Sequence, residues 1–351
     1  MFLARHEMLY EKLRYSLMIA VISLISFLIF IISALALGLA NENTEALSSW
    51  PTKQVLLSKD ANGNMGQSLL STEALKAYPH QNQQAQVGIT PTTLKGQSKN
   101  ISVQYIGLKS NEYIYQDLKL SSGHKPKHRN EIVVSDKLTQ YQLGSKVKLG
   151  VSSQTYTIVG KARHAQYNMA PVVYGNLSNW APIKGVTPNY GGSGIIVKDS
   201  SGLKPKHADE KVLSRQAFLN KMPGYAAQNK TFILMIVFLV FISLIVITIF
   251  LYILTKEKLN NFAVLRAQGV PNRYLLQNTL GETFIMLLLS VGLASLLAVV
   301  SAMLMPKQIP LYFDWQLGLA VGLGILSTGL LGSLIPMRMI TKVDPVSAIG
   351  G

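Results

Sequence analysis

The stretch FILMIVFLVFISLIVITIFLYIL, Phe232 to Leu254, carries no charged side chain over 23 positions. A helix needs roughly 20 apolar residues to cross a hydrocarbon core of about 30 Å, so this window predicts a transmembrane helix. Leu17 to Leu39 is a second uncharged window of the same kind. Phe284 to Met305 and Leu317 to Leu334 are also long enough, and their Gly292, Gly318, Gly322, Gly324, Gly329 and Gly332 provide small faces for close helix packing. The expected fold is a membrane α-helical protein with four transmembrane helices and an α+β extracytoplasmic domain inserted between helices 1 and 2.

Composition agrees with that reading. Of 351 residues, 48% are hydrophobic and 14% charged, against about 25% charged in soluble domains. A cleaved signal peptide is the rival for the first window, since Arg5, Lys12 and Arg14 precede it and Ala34, Ala36, Gly38 and Ala40 offer small residues near its end. The apolar run is longer than the roughly 7 to 15 residues of a signal peptide core, which favours a retained helix. With no cysteine in the chain, disulfides, thiolate metal sites and cysteine nucleophiles are excluded.

Orientation follows from basic residues close to the helix ends. Arg5, Lys12 and Arg14 lie before the first window, Lys256, Lys258, Arg266 and Arg273 after the second, and Arg338 and Lys342 in the tail; between the last two windows Lys307 is offset by Asp314. Both termini are therefore expected in the cytoplasm of a multi-pass cell-membrane protein. The predicted layout is 1–40 N-terminus and first helix, 41–230 extracytoplasmic domain, 231–255 second helix and 256–277 cytoplasmic coupling segment. It continues with 278–305 as third helix, 306–315 as a short outer turn, 316–336 as fourth helix and 337–351 as cytoplasmic tail.

The interposed domain holds 23 Lys or Arg against 11 Asp or Glu, most of the chain's net +16. Such a surface keeps a domain soluble or near anionic lipid and wall polymer, and no nucleic acid partner is expected outside a cell. Alternating or β-branched runs at Val55–Ser58, Ile101–Leu108, Glu131–Leu138, Lys146–Leu149, Gln154–Gly160 and Gly194–Val197 predict strands. Lys59–Gln67 and Thr187–Ser193 read as loops.

Chemistry-bearing motifs are missing: there is no GxxxxGK[ST], HExxH or GxSxG. The chain is expected not to be an enzyme by itself. Glu282, at the start of the third window, reads as a favourable charge near a helix N-terminus. In KEKLNNFAVLRAQGVPNRYLLQ, residues 256–277, Leu259, Phe262, Ala263 and Leu265 form an apolar face, and Gly269 with Pro271 ends the helix. That pattern fits either an amphipathic helix lying on the inner membrane surface or a docking surface for a cytoplasmic ATPase.

The order FAVLRAQGVPNRYLLQNTLGETFIMLLLSVGLASLLAVV and the tail IPMRMITKVDPVSAI resemble FtsX-like and MacB-like ABC transporter permeases, with Pro336, Arg338, Asp344, Pro345, Val346 and Ala348 falling on the closing motif. EIVVSDKL, LGSKVKLG, YTIVG and PVVY are similar to that family's outer domain. The resemblance implies a homodimer bound to two copies of a separate ABC ATPase subunit, which would supply ATP hydrolysis. It also implies that Phe262, Leu265, Arg266 and Gly269 sit on the ATPase-contacting element.

The opening forty residues and the PGYAAQNKTF lead-in to the second helix resemble haem-regulated transporter permeases, which implies haem as an effluxed substrate and no permanently bound cofactor. A haem site needs an apolar slot and a His, Met or Tyr ligand, with basic groups for the propionates. Tyr225 and Tyr167 are the leading candidates, with Met222, Met169 and His164 beside them; an interfacial tyrosine anchor and ordinary methionine packing are the commoner roles for such residues. Other amphipathic cargo (a peptide antibiotic or a lipoprotein), control of a cell-wall hydrolase, or a membrane-anchored ligand sensor are the alternative functions.

Overall fold

The computed structural model describes residues 10–78, 83–96, 100–198, 203–306 and 309–342. Arg5, Lys307 and the tail residues Asp344, Pro345, Val346 and Ala348 lie outside them. The chain divides into two compact units, one holding the chain up to Gly38 and from Lys230 onward, the other Leu39–Asn229.

The helical unit is built on α1 (Lys12–Ser49), α2 (Tyr225–Ala267), α3 (Asn272–Leu304), α4 (Trp315–Gly332) and α5 (Leu334–Thr341). Four stretches are long and apolar enough to span a membrane, Lys12–Ser49, Tyr225–Ala267, Asn272–Leu304 and Gly318–Thr341. The fourth is interrupted at Ser333, where α4 ends and α5 begins. With 38 and 43 residues, α1 and α2 extend for about 57 and 64 Å, well beyond the hydrocarbon thickness. The short helix expected at residues 259–266, read either as lying on the membrane surface or as a docking surface, is not a separate element but the continuation of α2, because no breaking residue separates Leu254 from Ala267 and nothing turns the chain before Gly269.

Tyr15, Met18 and Ile22 of α1, Ile247 and Leu251 of α2, and Met286 and Leu287 of α3 close one apolar core; Ile29, Phe30, Ala294, Ala298 and Ile325 close a second. Small residues set the approach distances. A β-carbon on Gly329 would stand 2.5 Å from the Leu287 side chain, and one on Gly38 would stand 1.6 Å from the Pro310 carbonyl oxygen. The turn before α4 is thereby held on α1, with the Tyr312 N–H donating to the Ala34 carbonyl at 3.2 Å.

In the other unit, eleven strands form one mixed sheet and two more form a small antiparallel pair. All six predicted strand regions are strands, but the spine of the sheet is Gln84–Lys95, which the sequence pattern did not pick out. Pro91 sits inside it and its burial does not alternate, both of which conceal a strand from periodicity. It pairs antiparallel with Ile101–Leu108 from Gly88 to Leu94 and with Gly194–Val197. Parallel pairings of Ala170–Asn176 with Ile101–Leu108, and of Glu131–Ser135 with Thr155–Ala162, make the sheet mixed.

Each face of the sheet has its own core. Alternate residues of Ile101–Leu108 divide between them: Val103 and Tyr105 join Leu94, Tyr156 and Trp180, whereas Ile106 and Leu108 join Trp50, Tyr174, Phe218 and Met222. The last turns of α1 supply Ala46 and Leu47 to the second of these cores, and Trp50 follows directly after the helix.

Candidate functional site

Three groups of residues bear on function, and the first is the turn between α2 and α3. Gly269 has φ +91°, and the Val270 N–H donates to the Leu265 carbonyl while the Gly269 N–H donates to the Arg266 carbonyl, both at 3.0 Å. That is a Schellman ending, with Val270 and Leu265 packed on the same apolar cluster of Phe262, Leu275 and Ile340. Pro271 then starts α3. Of the four residues assigned to this element, Phe262 is buried and holds its shape, Leu265 and Arg266 are half-buried, and Gly269 supplies the left-handed backbone. The sequence reading passed over Val264 and Tyr274, 48% and 51% exposed, which present large apolar surface on the same element. Gly269→Ala should lower stability by about 1–2 kcal/mol from backbone strain alone, since nothing lies within 4 Å of the added β-carbon. Gly269→Asn should lose less. Thermal unfolding of the two variants checks this, and equal losses would refute the backbone account.

A buried polar cluster forms the second group. Glu282 is 3% exposed and Lys258 7%. Glu282 Oε2 accepts from Lys258 Nζ at 2.9 Å and from the Tyr15 hydroxyl at 3.1 Å, and Oε1 accepts from Asn278 Nδ2 at 2.8 Å. Lys258 Nζ also donates to the Tyr15 hydroxyl at 3.0 Å. Next to this cluster Arg14 pairs with Glu257 at 2.6 Å and with Glu11 at 2.9 Å. Two adjacent residues of α1 thus hold two adjacent residues of α2, two turns before the Arg266 turn. The sequence reading of Glu282 as a helix-terminal charge is corrected here. α3 begins ten residues earlier, at Asn272, and a helix-end charge effect fades within about one turn.

The third group contains the candidate ligand residues. Tyr167 (5% exposed) and Met222 (3%) are both in the apolar core shared with Trp50 and Tyr174, and Tyr225, the first residue of α2, packs against that same core. Burial pushes the Tyr167 phenol up, away from ionisation. Met169 is 51% exposed on a turn with φ +60°. Its N–H donates to the Glu42 carbonyl at 3.3 Å. His164 lies 3.4 Å from Glu45 Oε1 in a cavity of 310 Å³. Tyr167, Met222 and Tyr225 thus belong to one core, whereas His164 lines a cavity at its Trp50 and Leu118 edge. No group of three or more His, Cys, Asp or Glu that could hold a metal ion occurs among the described residues.

Residues 233–345, covering α2 from its third turn to the tail, match the family model described as FtsX-like permease C-terminal. A protein of Staphylococcus haemolyticus named as a hemin transport system permease, HrtB, is 27% identical over 354 residues, covering 99% of each chain. An ABC transporter permease of Mycobacterium bovis is 31% identical over 102 residues, 28% of each chain. Among solved structures, the periplasmic region of MacB from Actinobacillus actinomycetemcomitans covers 46% of this chain and 88% of its own at 11% identity and a TM-score of 0.35. With four apolar helices and an interposed domain, the chain carries an FtsX-like permease C-terminal domain at residues 233–345 and is similar over its full length to a permease of that type.

Proposed function

We propose that this chain is the permease subunit of a hemin efflux transporter, working as a homodimer with two copies of a separate cytoplasmic ATPase. The observation that carries the proposal is the similarity to HrtB over 99% of both chains. In this reading both termini and the α2–α3 turn face the cytoplasm. The contacts of Arg14 with Glu257 and of Phe262 with Ile340 support it by gathering Arg14, Lys258, Arg266, Arg273 and Arg338 at one end of the helical unit.

α2 suits the transmission of ATP-driven movement, because one unbroken helix joins the turn at Gly269 to Tyr225. It is also the least covered spanning helix, with 11% of its apolar window buried against 44% for α1, so it has surface to give to lipid or to a second copy. Hemin would be held near the start of α2, with Tyr225 as iron ligand and Tyr167 and Met222 lining the apolar slot. A macrocycle entering there must part the core that now buries Tyr167.

Purified protein titrated with hemin should show a saturable Soret shift, and Tyr225→Phe should weaken binding roughly tenfold or more. Tyr167→Phe should weaken it less, since a buried phenol ionises reluctantly. Cells lacking the gene should be killed by hemin concentrations that the parent survives. No Soret shift in the wild-type protein would remove the hemin reading and leave the permease assignment standing.

A further inference from the structure

The interposed domain contains a cavity of 930 Å³ that none of Tyr225, Tyr167, Met222, Met169 or His164 lines. Pockets of about 300–1,000 Å³ hold drug-sized molecules. Leu75, Leu177, Pro182 and Val186 provide its apolar wall. Three cations border it, Lys76, Lys109 and Arg129, against a single carboxyl group, that of Glu112.

Arg129 is held in place, with Nε donating to Asn179 Oδ1 at 3.0 Å and one terminal nitrogen to the Ser178 carbonyl at 3.4 Å. Lys109 Nζ donates to Gln86 Oε1 at 2.6 Å. Glu112 is 4% exposed. Its Oε2 accepts from the Gln86 N–H at 2.8 Å, while Oε1 takes no hydrogen bond from any described residue. Burial pushes this carboxyl up to about 7, with the Gln86 N–H and Lys109 pulling it back. One oxygen of this carboxyl is thus anchored on the Gln86 N–H in a cleft where cations outnumber it.

We infer that this cavity is a binding site for a small amphipathic anion, an apolar body bearing one acid group. The body lies on the Leu75, Leu177, Pro182 and Val186 wall. The acid is taken by Arg129 and Lys109, and the Glu112 carboxyl beside them limits how tightly an anion is held. Three cations against one carboxyl select an anion over an amine, and the apolar wall selects an organic acid over inorganic phosphate. The site is separate from the hemin reading and stands or falls without it.

The test uses the full chain in phosphatidylcholine nanodiscs at pH 8, with naphthalene-2-carboxylate and its uncharged isostere naphthalene-2-carboxamide as probes in equilibrium dialysis. The carboxylate should bind saturably and roughly tenfold tighter than the amide. The Lys109→Gln/Arg129→Gln double variant should lose that preference while still binding the amide. Glu112→Gln, which keeps an acceptor for the Gln86 N–H and removes the negative charge, should bind the carboxylate tighter than wild type. Should the double variant not fold, Lys76→Gln, at an exposed position, should still weaken carboxylate binding relative to the amide. Equal affinity for the two probes, no saturable binding, or weaker carboxylate binding in Glu112→Gln would overturn the inference.

Discussion

Glu282→Gln and Lys258→Met should each cost about 3–5 kcal/mol of stability, the usual loss when one partner of a buried ion pair is removed. The reason lies in the contacts, not in the charge alone. Glu282 has both oxygens bonded, to Lys258 and Tyr15 on one side and Asn278 on the other. Lys258→Met leaves a carboxylate buried without its cation, and Glu282→Gln leaves an ammonium group facing a neutral amide. The double variant Lys258→Met/Glu282→Met should recover most of the loss, because well-packed apolar replacements of buried pairs are often neutral or stabilising. Thermal unfolding in detergent separates the cases. A double variant no more stable than the worse single one would show that the cluster acts through something other than charge pairing.

If the cluster also positions α1 against the α2–α3 turn, and that turn meets an ATPase as proposed, the recovered double variant should couple poorly. Its partner's ATPase rate should respond less to substrate than in the wild-type complex. Restored folding with full coupling would confine the cluster to a stabilising role.

Val264→Glu should break association with the ATPase while leaving the permease itself folded. Val264 is 48% exposed and lies one residue before Leu265 on the last turns of α2. A surface substitution of this kind usually changes stability by less than about 0.5 kcal/mol. A central apolar contact in an interface, by contrast, is worth about 2 kcal/mol or more, roughly thirtyfold in affinity. Co-purification with the ATPase should therefore fall to a small fraction, with Val264→Ala intermediate and the melting temperature unchanged. Leu265→Asp is the less clean variant, because Leu265 also packs on the Phe262, Leu275 and Ile340 cluster. Normal ATPase recovery with Val264→Glu would sink the docking role of this face.

How far the primary structure reached depended on how local each feature was. Uncharged windows of more than twenty residues permit few structures in a bilayer, since every backbone polar group there must be satisfied within the segment, and so the spanning helices were legible from composition. The ending of α2 was legible too, because Gly269 followed by Pro271 is a local signal whose left-handed φ the structure shows. The long strand Gln84–Lys95 was not, because it is buried from several sides and carries Pro91, so no period of two survives. Glu282 was misjudged for a different reason: its partners Lys258 and Tyr15 lie 24 and 267 residues away, and no window of sequence contains all three.

The sequence by itself determined a four-helix membrane protein with a large basic domain between its first two spans, because hydropathy and charge act residue by residue. Tertiary structure alone decided which polar groups are buried together. It set Tyr167 and Met222 in the core against which Tyr225 packs, paired His164 with Glu45, and placed Glu112 among Lys76, Lys109 and Arg129 at one cavity. Those groupings depend on strand pairing and helix packing between distant segments, where burial sets the energy of a polar group by whatever the fold brings to face it.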